Sequence, residues 1–231
     1  MSDAATSISR ESRATRSARR LGHLGILPIV EIDDARQGED LFEALCEGGV
    51  PAAEITLRTP EGALALERLI TLHPDALLGA GTVRSLEDAR RMIDIGVSFL
   101  VSPGTDEEVV VYGVERDVLV LPGVSTPSEV MRARKSGATL LKFFPAEAAG
   151  GVEMLKALAG PFPEVAFVPT GGISEGNLAS YLRLATVVAC GGSWLAPREL
   201  INAGRFEEIS ERTRRAKAIV EEERGGRDDN S

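Results

Sequence analysis

Eight short apolar runs punctuate this chain: GILPIVEI (25–32), AAEITL (52–57), ALLGAGTV (76–83), SFLVSPG (98–104), VLVLPGV (118–124), TLLKFFPA (139–146), EVAFVPTGG (164–172) and TVVACGGSWL (186–195). Each is bounded by turn residues and rich in aliphatic side chains, which reads as a buried strand. Between them lie longer stretches with helical spacing of apolar positions. Residues 38–47 put Leu41, Ala44 and Leu45 on one face and stop at Gly48-Gly49, as glycine commonly ends a helix. Ser85 with Asp88 has the form of a helix start before Ala89, Met92 and Ile93, and Thr126 or Ser128 opens a helix that Gly137 closes. A strand with its returning helix takes about two dozen residues. Eight such units predict an α/β fold, a single (β/α)8 TIM barrel with a short N-terminal helix or arm. A doubly wound open sheet is the runner-up, but eight units are many for it and no G-x-G-x-x-G follows the first run.

The two ends lack this alternation. Residues 1–20 are rich in Ser, Ala and Arg, with Arg10, Arg13, Arg16 and Arg19 three apart and so on one helical face. Organelle transit peptides share that composition; the expectation here is a mobile tail that runs into a short helix, with no apolar segment of the secretory kind. The expected division is a mobile basic arm at 1–20, the barrel at 21–222 and a frayed polar tail at 223–231.

Composition narrows the function. The 231 residues carry 35 acidic and 26 basic side chains, a formal net charge of −9. So acidic a domain is a poor partner for nucleic-acid phosphates, and no apolar run approaches the ~20 residues of a membrane helix. A small-molecule partner is expected instead. Cys46 and Cys190 form neither a disulfide framework nor a metal cluster, which points to a reducing, cytoplasmic setting. Only Lys135, Lys142, Lys156 and Lys217 among the 26 basic residues are lysine, so where a positive charge alone is wanted the chain uses arginine.

Lys142 is therefore the anomaly, because it sits inside an apolar run. It could snorkel to the barrel mouth or pair with a carboxylate. The functional reading is that an amine is needed: a lysine shielded from water can lose its proton and attack a ketone to form a Schiff base, which an arginine cannot do. Glu54 and Thr56 share one face of the second strand, with Arg58 continuing their parity. An inward carboxylate is costly unless paired or used. Glu54 is either half of an ion pair with Arg58 or Lys142, or a general acid/base with Arg58 left to grip a substrate carboxylate. The glycine clusters at 169–174 and 190–193 end the seventh and eighth runs, where barrels often bind phosphate in the loops that follow, and Ser193 adds a donor. His23 and His73 share no metal spacing, and Glu31, Asp33 and Asp34 either face the site or form a solvated loop.

Read together and in order, EITLRT, GAGTV, SPG, LPGVSTPSE, KFFPAE, AGPFP, VPTGGIS and GGSWL give a chain that resembles the class I 2-keto-3-deoxy-6-phosphogluconate (KDPG) and 4-hydroxy-2-oxoglutarate aldolases over residues 20–220. The resemblance implies a homotrimeric barrel and aldol chemistry with no metal and no other cofactor. It places the Schiff base on Lys142, proton transfer on Glu54 and the substrate carboxylate on Arg58 and Thr82. It also implies that Pro103 and Phe144 shape the pocket and that Thr170, Gly171, Gly172, Gly192 and Ser193 hold phosphate. The expected reaction is cleavage of KDPG to pyruvate and glyceraldehyde 3-phosphate, with 4-hydroxy-2-oxoglutarate cleavage as a possible second activity. The alternatives are the galactonate epimer as substrate, another sugar-phosphate isomerase or decarboxylase barrel, and a non-catalytic sugar-phosphate-binding barrel. The last two have no need of an amine inside a strand.

Overall fold

The computed structural model describes residues 11–228, and in it the eight apolar runs form nine strands: β1 (Ile26–Val30), β2 (Ala52–Thr56), β3 (Leu77–Gly81), β4 (Phe99–Val101), β5 (Leu119–Leu121), β6 (Gly123–Val124), β7 (Leu140–Phe143), β8 (Ala166–Pro169) and β9 (Cys190–Gly192). The extra strand arises at Pro122, which has no N–H to give a ladder and divides the fifth run into β5 and β6. All paired strands are parallel. The order β5-β4-β3-β2-β1-β9 makes a six-stranded half-barrel, and β6-β7-β8 a separate three-stranded sheet. Isolated bridges Phe167↔Val187 and Thr170↔Gly191 join β8 and the residue after it to the β9 side.

The connecting and flanking helices are α1 (Arg13–Leu24), α2 (Gly38–Glu47), α3 (Pro60–Leu72), α4 (Leu86–Asp94), α5 (Glu107–Glu115), α6 (Pro127–Lys135), α7 (Gly151–Ala159), α8 (Leu178–Leu182), α9 (Arg198–Asn202) and α10 (Phe206–Asp228). β2 and β3 are buried at every position, as parallel strands covered on both faces must be. Ile55 points toward α3, close to Gly62. Glu54 and Thr56, on the opposite parity, therefore face the interior.

The short helix expected near the N-terminus is α1. The boundary after residue 20 falls inside α1, and that after 222 falls inside α10. Ser12 caps α1, and Asp117 accepts from the backbone N–H groups of Arg13 (2.7 Å) and Ala14 (3.2 Å). Arg13 donates to the carbonyls of Gly96 (2.7 Å) and Val97 (2.6 Å), and Arg20 to that of Asp75 (2.6 Å). These partners stand just before β3, β4 and β5, so α1 lies against the N-terminal ends of the strands. Arg16 and Arg19 face Glu11 instead; Arg10 lies outside the described residues. Leu21 is fully buried, and Arg224 of α10 donates to the carbonyls of Gly22 and Val188, tying the two terminal helices together.

Thr126, and not Ser128, opens α6. Its hydroxyl accepts from Glu129 N, while Glu129 Oε2 accepts from Ser125 N (2.8 Å) and Thr126 N (2.9 Å). These bonds, the Ser125 amide first, hold the Glu129 carboxyl below its ordinary range. Stability from this box is complete above the ordinary carboxylate range and is lost as pH falls through the lowered value. Thr126→Ala should cost about 1 kcal/mol in urea unfolding at pH 7. Glu129→Gln should flatten the acid limb of stability against pH; an unchanged acid limb would count against the box.

Candidate active site

The C-terminal ends of β2, β3, β7 and β8 converge on a cleft of about 160 Å³ lined by Ile29, Glu54, Thr56, Arg58, Thr82, Pro103, Lys142, Phe144, Thr170, Gly171, Gly172, Ile173, Gly191 and Ser193. Ten of the eleven residues expected from the sequence are in this lining. Gly192 is not. The Trp194 ring crosses it so closely that an added Cβ would sit 1.8 Å from a ring carbon. Gly191 lines the cleft in its place, and its missing side chain leaves room for Thr170 Oγ1, 2.3 Å from where a Cβ would lie.

At the floor of the cleft Lys142 Nζ, from β7, lies 3.3 Å from Glu54 Oε1, from β2. Lys142 is 7% exposed and Glu54 2%. The Phe144 ring, on the same strand face as Lys142, is centred 5.1 Å from Nζ. Glu54 reaches the lysine by lying across Gly81 of β3, its register neighbourhood being Glu54↔Gly79 and Thr56↔Gly81. A Cβ on Gly81 would fall 2.4 Å from Oε1. The next residue, Thr82, holds φ +61°, a conformation that a β-branched residue adopts only at a cost.

Arg58 is at the rim, its side chain 58% exposed, and its Nη1 donates to Glu31 Oε2 at 3.3 Å. Glu31 also accepts from Arg198 Nη1 (2.7 Å), and Arg198 makes two further bonds to Asp33. Glu31, to which the sequence assigned no role, is thus the counter-ion of Arg58. The acidic loop divides: Glu31 and Asp33 join this network, whereas Asp34 pairs with Arg36, which pulls its carboxyl down to about 2. Two features of the lining escaped the sequence reading. Thr56 Oγ1 is buried with no hydrogen-bond partner among the described residues. Ile29 and Ile173 supply apolar walls.

At the far side Gly171 (φ +97°) and Gly172 (φ +80°) turn the chain after β8. Among the described residues no acceptor takes the N–H groups of Gly172 and Ile173. Free amides on a positive-φ glycine turn are suited to an anion. Cys190 is fully buried, and burial pushes its thiol well above the ordinary range, so it is no nucleophile. Among the described residues no group of three or more His, Cys, Asp or Glu side chains is placed to hold a metal ion.

A buried amine against a carboxylate, with a guanidinium at the mouth of parallel strands, is the equipment of the Schiff-base enzymes. The comparison with known proteins agrees. Residues 18–212 match the model of the KDPG and KHG aldolase family, and the chain belongs to that family. It is 41% identical over 193 residues to the 2-dehydro-3-deoxy-phosphogluconate aldolase of Pseudoalteromonas atlantica, covering 84% of this chain and 90% of that one. The KDPG aldolase of Legionella pneumophila, whose crystal structure holds pyruvate captured at low pH as a covalent carbinolamine intermediate, superposes with a TM-score of 0.83 at 39% identity, covering 88% of this chain and 97% of that one. The 2-keto-3-deoxy-6-phosphogluconate aldolase of Zymomonas mobilis, crystallised with 3-phosphoglycerate, gives 0.81 at 33% identity, covering 88% and 96%.

The Gly81 contact yields a test. Gly81→Ala forces a methyl group into Glu54 and should cost about 1–3 kcal/mol of stability. By displacing the carboxylate from Lys142 it should also lower turnover at least ~10-fold. Gly104→Ala, where an added Cβ meets nothing within 4 Å, is the control and should change neither.

Proposed function

We propose that this protein is a class I aldolase that cleaves KDPG to pyruvate and glyceraldehyde 3-phosphate through an imine on Lys142. The observation that carries the reading is the buried Lys142–Glu54 pair at 3.3 Å. A proton passed from Nζ to Oε1 leaves a neutral amine beside a neutral acid, with no net charge added to the interior. The amine adds to the C2 ketone and forms a carbinolamine. Glu54 returns its proton to the C2 oxygen, which leaves as water, so that a protonated imine stands beside a Glu54 carboxylate. Glu54, acting through a water, takes the C4 hydroxyl proton. The C3–C4 bond breaks, its electrons move to the iminium nitrogen, and C4 departs as the aldehyde. The remaining enamine is protonated at C3, and hydrolysis returns pyruvate and the free amine.

Arg58 and Thr82 hold the carboxylate, while Pro103 and Phe144 wall the pyruvyl end. Thr170, Gly171, Gly172 and Ser193 hold the phosphate, with Gly191 in the lining where Gly192 had been expected. Binding at these two remote ends positions the bond between them. The Zymomonas relative's 3-phosphoglycerate supports a phosphorylated ligand, and the family description supports 4-hydroxy-2-oxoglutarate as a second substrate. The two sheets are read as one closed (β/α)8 barrel, because β5 and β6 are consecutive around Pro122 and the Thr170↔Gly191 bridge joins the other side. The enzyme is read as a cytoplasmic homotrimer. Exposed Val111, Val114 and Met131 on α5 and α6 support self-association, and the free thiols of Cys46 and Cys190 support a reducing compartment.

Lys142→Arg keeps the charge and should abolish KDPG cleavage in a pyruvate-release assay. Glu54→Gln should slow it on the order of 10²-fold or more. Substantial turnover by Lys142→Arg would reject the assignment.

A further inference from the structure

The turn that carries the distal glycines is held from behind by residues that line no part of the cleft. Its three successive carbonyls are all engaged: Thr170 O accepts from Ala146 N (2.8 Å), Gly171 O from Glu147 N (3.0 Å) and Gly172 O from Asn177 Nδ2 (3.0 Å). With the carbonyls drawn to that side, the unbonded amides of Gly172 and Ile173 are left for the other. Glu147 does more than lend its amide. Its Cβ and Cγ lie against Gly172, 2.7 and 2.6 Å from where a Cβ would be built, so the glycine is seated directly on the glutamate side chain. The far end of that side chain is fixed in turn, because Glu147 Oε1 accepts the hydroxyl hydrogen bond of Tyr181. Tyr181 comes from α8 and is fully buried. Burial and the adjoining carboxylate push its phenol up, so it stays a donor at any working pH.

We propose that Glu147 and Tyr181 are positioning residues for the distal anion of the substrate: Tyr181 locks the Glu147 side chain, and Glu147 sets the Gly171–Gly172 turn so that its amides meet the phosphate. The proposal rests on the phosphate reading given above. It adds two side chains that touch no substrate and act through the turn. Their removal should weaken binding of the phosphorylated end without touching chemistry at C2 and C3.

The test compares KDPG cleavage, competitive inhibition by inorganic phosphate, and borohydride-trapped imine formation with pyruvate, which has no distal group. Tyr181→Phe and Glu147→Ala should raise KM for KDPG and Ki for phosphate about tenfold, with kcat within about twofold of wild type. Pyruvate trapping should be unchanged, which also shows that the variants are folded. Glu147→Gln keeps an acceptor and the methylene packing and should stay close to wild type. Unchanged KM and Ki in both variants would overturn the proposal. So would an equal weakening of KDPG, phosphate and pyruvate, which marks a general packing role. A wild-type enzyme indifferent to phosphate would remove the phosphate reading itself, and this inference with it, while leaving imine formation at Lys142 standing.

Discussion

The Lys142–Glu54 pair is the contact around which the molecule is arranged. Two opposite charges buried together recover little more than their desolvation, so such a pair is poor evidence for stability and needs another reason to exist. Here its partners are 88 residues apart in sequence and meet because β2 and β7 present them to the same interior space. Several otherwise odd choices follow. Gly81 is bare because Glu54 lies across it. Phe144 follows Lys142 at the two-residue spacing that places an aromatic face near the amine. Thr82 accepts an unfavourable backbone conformation at the end of β3, beside the pair.

Around this centre the charges are graded outward. A chain of net charge −9 does not attract an anionic substrate by its overall field. Attraction has to be local. In the proposed function Arg58 supplies it at the mouth, where Glu31 pairs with it and Arg198 and Asp33 extend the network. At the opposite side, among the described residues, no cationic side chain lines the glycine turn, and the amides of Gly172 and Ile173 are unbonded. In the proposed function one end of the cleft thus recognises an anion by charge and the other by dipoles, with the reacting amine between them.

What could be read from the sequence followed from locality. The strand–helix alternation, the glycine stops and the Thr126 cap are encoded within a few residues, and parity along β2 was enough to send Glu54 and Thr56 inward. Lys142 stood out because it breaks an apolar run. What escaped depends on distant contacts. The docking of α1 uses carbonyls and a carboxylate some hundred residues away in sequence, so the sequence shows a short helix there but not what it packs against. Gly191 and Gly192 differ by one position, and only the placement of Trp194 decides which of them faces the cleft. For Glu31 the sequence leaves open a site-facing acid and a solvated loop acid, because nothing nearby in sequence shows that two arginines meet on it. The Glu147–Tyr181 bond joins two connections that sequence cannot bring side by side.

The central claim is that the nitrogen of Lys142 bonds covalently to a substrate carbon. Incubation of the protein with pyruvate and borohydride, followed by peptide mass mapping, tests it directly. The account predicts one reduced pyruvate adduct, on the peptide that contains Lys142. An adduct on Lys135, Lys156 or Lys217, or none on the folded protein, would contradict it.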